Sequence, residues 1–213
     1  TRASFQSYHA IARAVGQDGF VDMTMNLPLD HFLGDARGME QLMMDYYLDR
    51  PFFDSMLALF QDYALEVLKA ALEQGVRAIF GTWYYASLSA GWSPRIFREC
   101  FTPLMRKQAE LVHSYDGIYG VYDDGKMMAT LADYASAGAD VIETLTPPPV
   151  GDVDLAEAKR LYGAQTCLKG HIDLLYVIKM GTPELIEDRV REAIEVAAPG
   201  GGFVLGTSDS IRE

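Results

Sequence analysis

Residues 66–80, Glu66-Val67-Leu68-Lys69-Ala70-Ala71-Leu72-Glu73-Gln74-Gly75-Val76-Arg77-Ala78-Ile79-Phe80, change their periodicity midway. The apolar spacing over 66–74 predicts an amphipathic helix, and Gly75 stops it. The short apolar run at 76–80 then predicts a strand. A helix that ends on a small residue and feeds a short strand is the return half of a βα unit.

The same grammar recurs on both sides. Earlier, a strand is predicted at 19–25, followed by helical patterns at 38–48 and 51–74. Later, Ser93-Pro94 supplies an N-cap and a proline at the first helical position, predicting a helix to about His113. A strand follows at 117–122, then a helix at 127–136 broken by Ala137-Gly138, and a strand at 139–143. Asp154 caps a predicted helix to Tyr162, and a strand follows at 166–170. Thr182-Pro183 opens a helix to about Ala198, and Gly200-Gly201-Gly202 leads into a strand at 203–205.

Six strands alternating with helices predict parallel pairing through helical crossovers. An open doubly wound sheet and a closed (β/α)8 barrel both fit. The chain has neither Gly-x-Gly-x-x-Gly after a strand nor Gly-x-x-x-x-Gly-Lys-Ser/Thr, so the nucleotide-binding open sheets lose their signature. A partial TIM-type barrel of about six βα units is therefore expected, as one domain over residues 1–213. The start at Thr1 and the unfinished end at Glu213 lead us to expect a fragment. Pro147-Pro148-Pro149 reads as a stiff loop.

Composition bounds the function. The 213 residues carry 18 Lys and Arg against 30 Asp and Glu, a net charge of -12. That disfavours nucleic acid and anionic membrane surfaces as partners. Cys100 and Cys167 are too few for a disulfide framework and read as thiols in a reducing cytoplasm. No apolar run approaches the roughly 18 residues of a membrane-spanning helix, and no signal peptide opens the chain.

In a barrel, reactive groups sit where strands end. Those positions hold Asn26, Asp30 and His31 after the first strand, and Trp83-Tyr84-Tyr85 after the second. Tyr122-Asp123-Asp124-Gly125 follows the third, Glu143 ends the fourth, His171 and Asp173 follow the fifth, and Asp209 follows the sixth. Asp124 suits a helix cap near Met127, or one carboxylate of the pair faces a substrate or metal. Neighbours in extended chain point opposite ways, so only one of Asp123 and Asp124 can face a central site. A carboxylate among others has a raised pKa and suits proton transfer. His171 is either a hydrogen-bonded structural residue or a proton carrier or ligand. Of the three aromatics in Trp83-Tyr84-Tyr85, at least one is expected to line a cleft. Neither Cys-x-x-Cys nor His-x-Cys occurs, so a thiolate zinc site is not signalled.

Taken in order, 91–97 (Gly-Trp-Ser-Pro-Arg-Ile-Phe), Tyr122-Asp123-Asp124-Gly125, 137–141 (Ala-Gly-Ala-Asp-Val), 154–159 (Asp-Leu-Ala-Glu-Ala-Lys) and 168–173 (Leu-Lys-Gly-His-Ile-Asp) resemble the uroporphyrinogen decarboxylase superfamily. Gly181-Thr182-Pro183-Glu184 and the Gly200-Gly201-Gly202-Phe203 strand entry continue the likeness. The resemblance implies a (β/α)8 barrel with its site at the strand C-terminal ends. It also implies one of two activities: porphyrinogen decarboxylation, or methyl transfer between a methyl-corrinoid protein and a small molecule.

The chain departs from both branches. The decarboxylase's arginine-rich segment has no match, and Leu205-Gly206 is followed by Thr207 where the decarboxylase has histidine. Where thiol-directed methyltransferases carry His-x-Cys, this chain reads Tyr122-Asp123-Asp124. The implied reading is a corrinoid-linked methyltransferase without the thiolate zinc site. Its corrinoid (cobalamin) would come from a partner protein, with no tightly bound cofactor and the metal undecided. Asp123, Asp124, Glu143 and His171 are its expected proton carriers. Asn26, Trp83, Tyr84, Tyr85, Tyr122 and Asp209 are expected to bind the small-molecule methyl donor or acceptor. Decarboxylation of a tetrapyrrole and a non-catalytic binding barrel are the alternatives.

Overall fold

A computed structural model describes residues 5–26 and 33–211. Asp30, His31 and the side chain of Asn26 lie outside the described residues. Six strands, β1 (Met23–Asn26), β2 (Ala78–Thr82), β3 (Ile118–Tyr122), β4 (Val141–Thr144), β5 (Cys167–Ile172) and β6 (Phe203–Thr207), form one sheet in sequential order. Every neighbouring pair is parallel. Sequential parallel order is what successive right-handed βα units give, and the arrangement is a partial barrel of the TIM type whose sheet is open.

The helices are α1 (Gln6–Val15), α2 (Met39–Leu48), α3 (Arg50–Glu73), α4 (Pro94–Ile96), α5 (Thr102–His113), α6 (Leu131–Ser136), α7 (Leu155–Tyr162) and α8 (Pro183–Ala197). Their starts follow the capping chemistry of the sequence. The side chains of Asp49, Ser93, Asp154 and Thr182 accept from Phe52, Ile96, Glu157 and Leu185 N–H respectively. The helix expected to run unbroken from Pro94 widens into a π-helical segment at Phe97–Phe101. Pro103 accounts for this, because it has no N–H to return to the preceding turn. The helix expected at 127–136 begins instead as a 3-10 turn, Met128–Thr130. Its first N–H groups, those of Met127 and Met128, are taken by Asp152 Oδ1 at 2.8 and 3.0 Å. Asp124 is not its cap.

Strand alternation divides the side chains. Tyr119 and Val121 of β3, Ile142 of β4 and Leu168 of β5 are buried beside Leu68, Leu72, Phe97, Phe101 and Met105 from the helices. Burying each such side chain contributes on the order of 1.5–3 kcal/mol. The opposite, concave face carries a row in register across five strands: Thr82, Tyr122, Glu143, Lys169 and Val204. β5 extends two residues beyond its predicted end, so His171 lies within the strand rather than after it. A Cβ on Gly170 would come within 1.9 Å of the Thr144 carbonyl oxygen, so only glycine allows β4 and β5 to approach there. Among the described residues no helix is long and apolar enough to cross a membrane.

Candidate active site at the strand C-terminal ends

Register alone assembles the centre of the site. Glu143 and Lys169 are partners across β4 and β5, and Lys169 Nζ lies 2.7 Å from Glu143 Oε2. The ammonium also sits 5.7 Å from the centre of the Phe80 ring, a cation–π distance. Phe80 in turn lies 5.6 Å from the Tyr122 ring. These groups, with Thr82, Thr207 and Asp209, line a cavity of 410 Å³ at the mouth. The Tyr122 hydroxyl donates to Asp209 Oδ1 at 3.4 Å, joining β3 to the turn after β6.

The electrostatics follow from crowding carboxylates at a half-buried surface. Burial raises the pKa of Asp124, and the neighbouring Asp209 charge raises it further. Burial also raises that of Glu143, opposed by the hydrogen bond from Lys169. The Tyr122 phenol is pushed up by burial and then by the charges of Asp124, Asp209 and Glu143. Each of the three groups therefore holds its proton to higher pH than it would in water.

The adjacent aspartates part company as strand geometry requires. Asp123 is fully buried on the helix side, where its Oδ2 accepts from the Tyr134 hydroxyl at 2.6 Å and its Oδ1 from Asp124 N–H at 2.7 Å. Burial still dominates and holds its pKa well above the usual range. Asp124 is half-buried beside Tyr122 and Asp209, with its Oδ1 accepting from the Thr146 hydroxyl at 3.2 Å. Gly125, the next residue, has φ 82°, and a Cβ there would meet Ser89 Oγ at 2.2 Å. Glycine is thus required to turn the chain immediately after Asp124.

The aromatic cluster after β2 divides among core and surface. Trp83 is completely buried and donates from Nε1 to the Tyr119 hydroxyl at 3.0 Å, so it is a core residue. Tyr84 is 46% exposed, and its ring packs edge-on against that of Tyr85. The Tyr85 hydroxyl donates to the Asp35 carboxylate. None of the three lines the mouth cavity beside Tyr122, where Phe80 supplies the second ring.

His171 is separated from the acidic cluster. Its φ of 98° turns the strand, and its ring lines a second cavity, of 580 Å³, with Asp154, Asp173, Arg189 and Glu192. Nδ1–H donates to the Leu145 carbonyl at 2.8 Å, leaving Nε2 as an acceptor. Burial lowers the pKa of the ring, so it stays neutral at neutral pH. The structure therefore brings together Tyr122, Asp124, Glu143 and Asp209, and sets Asp123, Trp83 and His171 apart from them.

Lys169, Phe80 and Thr146 were missed as site residues. The contact that places Lys169 in the site is its register opposite Glu143, which no local motif of the sequence carries. Phe80 and Thr146 carried no signal either. Cys100 and Cys167 are both free thiols. Among the described residues, no three His, Cys, Asp or Glu side chains converge as a metal-binding group.

The model of the uroporphyrinogen decarboxylase (URO-D) family matches residues 32–211, nearly the whole chain. The chain belongs to the uroporphyrinogen decarboxylase family. No curated protein sequence matches it. Among solved structures, a methyltransferase from Methanosarcina mazei is similar at 20% identity with a TM-score of 0.79, covering 97% of this chain and 57% of that one. A protein described as a vitamin-B12-independent methionine synthase from Listeria monocytogenes is similar at 16% identity with a TM-score of 0.55, covering 95% of this chain and 61% of that one. At such identities the likeness is one of fold. The chain spans less than two thirds of the length of either protein, 57% and 61%. Within the URO-D family's barrel, the acidic mouth described above lies at the strand C-terminal ends, where TIM-type enzymes place their chemistry.

Proposed function

We propose that the chain is the barrel of a cytoplasmic methyltransferase of the URO-D type, moving a methyl group between a corrinoid protein and a small molecule held in the mouth. The observation that carries this reading is the pairing of Lys169 with Glu143 beside two further carboxylates, Asp124 and Asp209. Among the described residues lining the mouth cavity, Lys169 is the one cation, and Glu143 already neutralises it. Such a mouth repels a tetrapyrrole rich in carboxylates. It suits a reaction whose protein groups position a small molecule and manage one proton. The likeness of fold to a methyltransferase supports the same choice.

The partner's corrinoid is a substrate here and supplies the cobalt–methyl chemistry. The groups of this chain do the rest. Phe80 and Tyr122 give the small molecule an apolar wall, and the Glu143–Lys169 pair fixes the polar floor. With a methylated donor, the departing heteroatom needs a proton, and Asp124 holds one to higher pH than a free carboxylate does. With an acceptor, its X–H proton passes to ionised Asp124 as the methyl group arrives.

Methylcobalamin tests the acceptor direction, and cob(I)alamin the donor direction, under anaerobic conditions. The full chain is expected to accelerate the absorbance change of one of them with thiols, methyl ethers or methylated amines. Asp124→Asn is expected to lose that acceleration. Carbon dioxide released from uroporphyrinogen, without methyl exchange, would establish the decarboxylase reading instead. Binding without turnover of either kind would mark a non-catalytic barrel.

A further inference from the structure

A closed circuit of hydrogen bonds joins Asp123 and Asp124, which follow β3, to Thr144 of β4 and Thr146 in the loop after it. Asp123 Oδ1 accepts from Asp124 N–H at 2.7 Å. The carbonyl oxygen of Asp123 meets both Thr144 N–H and the Thr144 hydroxyl, each at 3.1 Å. The Thr144 and Thr146 hydroxyls are 2.7 Å apart; with the Asp123 carbonyl held by Thr144 N–H, the single Thr144 hydroxyl proton is free to donate to Thr146. The Thr146 hydroxyl then donates to Asp124 Oδ1 at 3.2 Å, which closes the ring, and it accepts from Gly125 N–H at 3.4 Å.

Both threonines are fully enclosed, at 1% and 0% exposure, while Asp124 is half-buried near Tyr122 and Asp209, which line the mouth. A buried hydroxyl that lost its partners would carry the full desolvation cost, so the ring is fixed by its own burial. Its geometry holds one oxygen of Asp124 and leaves Oδ2 outside the circuit.

We infer that Thr146, backed by Thr144, is the positioning residue for Asp124: the pair orients the carboxylate so that Oδ2 faces the mouth as its proton-carrying atom. The assignment deepens the reading of Asp124 as the proton carrier and stands on the hydrogen-bond ring alone. The other charged or titratable groups facing Asp124 are Tyr122 from β3 and Asp209 from the turn after β6, with Asp123 beside it in the chain. None of these donates to its Oδ1. Thr146 donates to the ionised form and, with a smaller contribution from the Gly125 N–H, opposes the upward push of burial and Asp209 on the Asp124 carboxyl.

The test is the carboxyl titration of Asp124 by carbon NMR on the full chain without any corrinoid, the signal being assigned by its loss in Asp124→Asn. Thr146→Val keeps the volume and removes the hydroxyl. It is expected to raise the Asp124 midpoint by roughly half to one pH unit, since hydrogen bonds to an ionised acceptor are about twice as strong as neutral ones. Thr146→Ser is expected to restore the original midpoint, and Thr144→Val to move it the same way by less. Thr146→Ala serves if the valine variant does not fold. An unchanged midpoint in the valine or alanine variant, or a serine variant that titrates like valine, overturns the assignment. Because no methyl transfer is read, failure of the methyltransferase reading leaves this result standing. If turnover is found, the pH limb assigned to Asp124 should move with the NMR midpoint.

Discussion

Glu143 and Lys169 stand opposite one another across β4 and β5, 26 residues apart in sequence, with Nζ and Oε2 separated by 2.7 Å. The register of two parallel strands, rather than any local motif, makes this contact. Since the side chains are 16% and 33% exposed, the pair is neither a loose surface bridge nor a dry interior one.

Lys169→Met should therefore leave Glu143 half-buried without its cation. We expect a loss of about 1–2 kcal/mol, between the values typical of exposed and buried pairs. Adding Glu143→Gln to that variant should recover most of it. Urea denaturation of the single and double variants measures both, and a double variant no better than the single one would contradict the coupling.

Asp209 raises the Asp124 pKa as a like charge, second only to burial. Asp209→Asn should lower it, shifting the Asp124 limb of a pH–rate profile to more acidic pH. Asp124→Asn should lower turnover by about 10²–10⁴-fold, the ordinary worth of a positioned acid or base. A limb that stays in place when Asp209 is neutralised would mean that another group titrates.

Asp123 keeps its proton in the folded chain at pH values where the unfolded chain, with a carboxyl near 3.8, releases it. The folded state thus binds more protons above that point. The stability from this group is full below pH 3.8 and falls as pH rises from there toward the folded value. Asp123→Asn should abolish that fall, so its stability relative to the parent should grow with pH. Parallel stability curves over a pH series in urea would refute this.

His171 has the opposite sign. Its folded pKa lies below 6.5, so the unfolded chain takes up the proton first as pH falls. The stability it contributes is full above pH 6.5 and is lost as pH falls from there toward the folded value. Proton NMR of the imidazole should give a midpoint below 6.5. His171→Gln should flatten the acid side of the stability curve.

Tyr119 links Trp83 to Gln108 inside the core, accepting from Trp83 Nε1 at 3.0 Å and donating to Gln108 Oε1 at 2.8 Å. Tyr119→Phe strands both partners, and each unsatisfied buried group costs about 1–3 kcal/mol. The midpoint of urea unfolding should fall accordingly, and an unchanged midpoint would show that the hydroxyl is dispensable.

Alternation of apolar runs with capped helices was enough to read the βα units and their parallel order, because burial periodicity and cap chemistry act over a few residues. Pro103 shows the limit of that reading: a proline written in the sequence opened a π-helical segment inside an expected helix. The carboxylates and tyrosine of the mouth were also legible, since the end of a strand is a local property. What the tertiary structure alone decided is which of them meet. Parallel register places Tyr122, Glu143 and Lys169 in one row, a positive φ carries His171 into a separate cavity, and complete burial takes Asp123 and Trp83 into the core. The local sequence names the chemical groups, but their distances and burial depend on contacts between segments far apart in the chain, and these exist only once the sheet has formed.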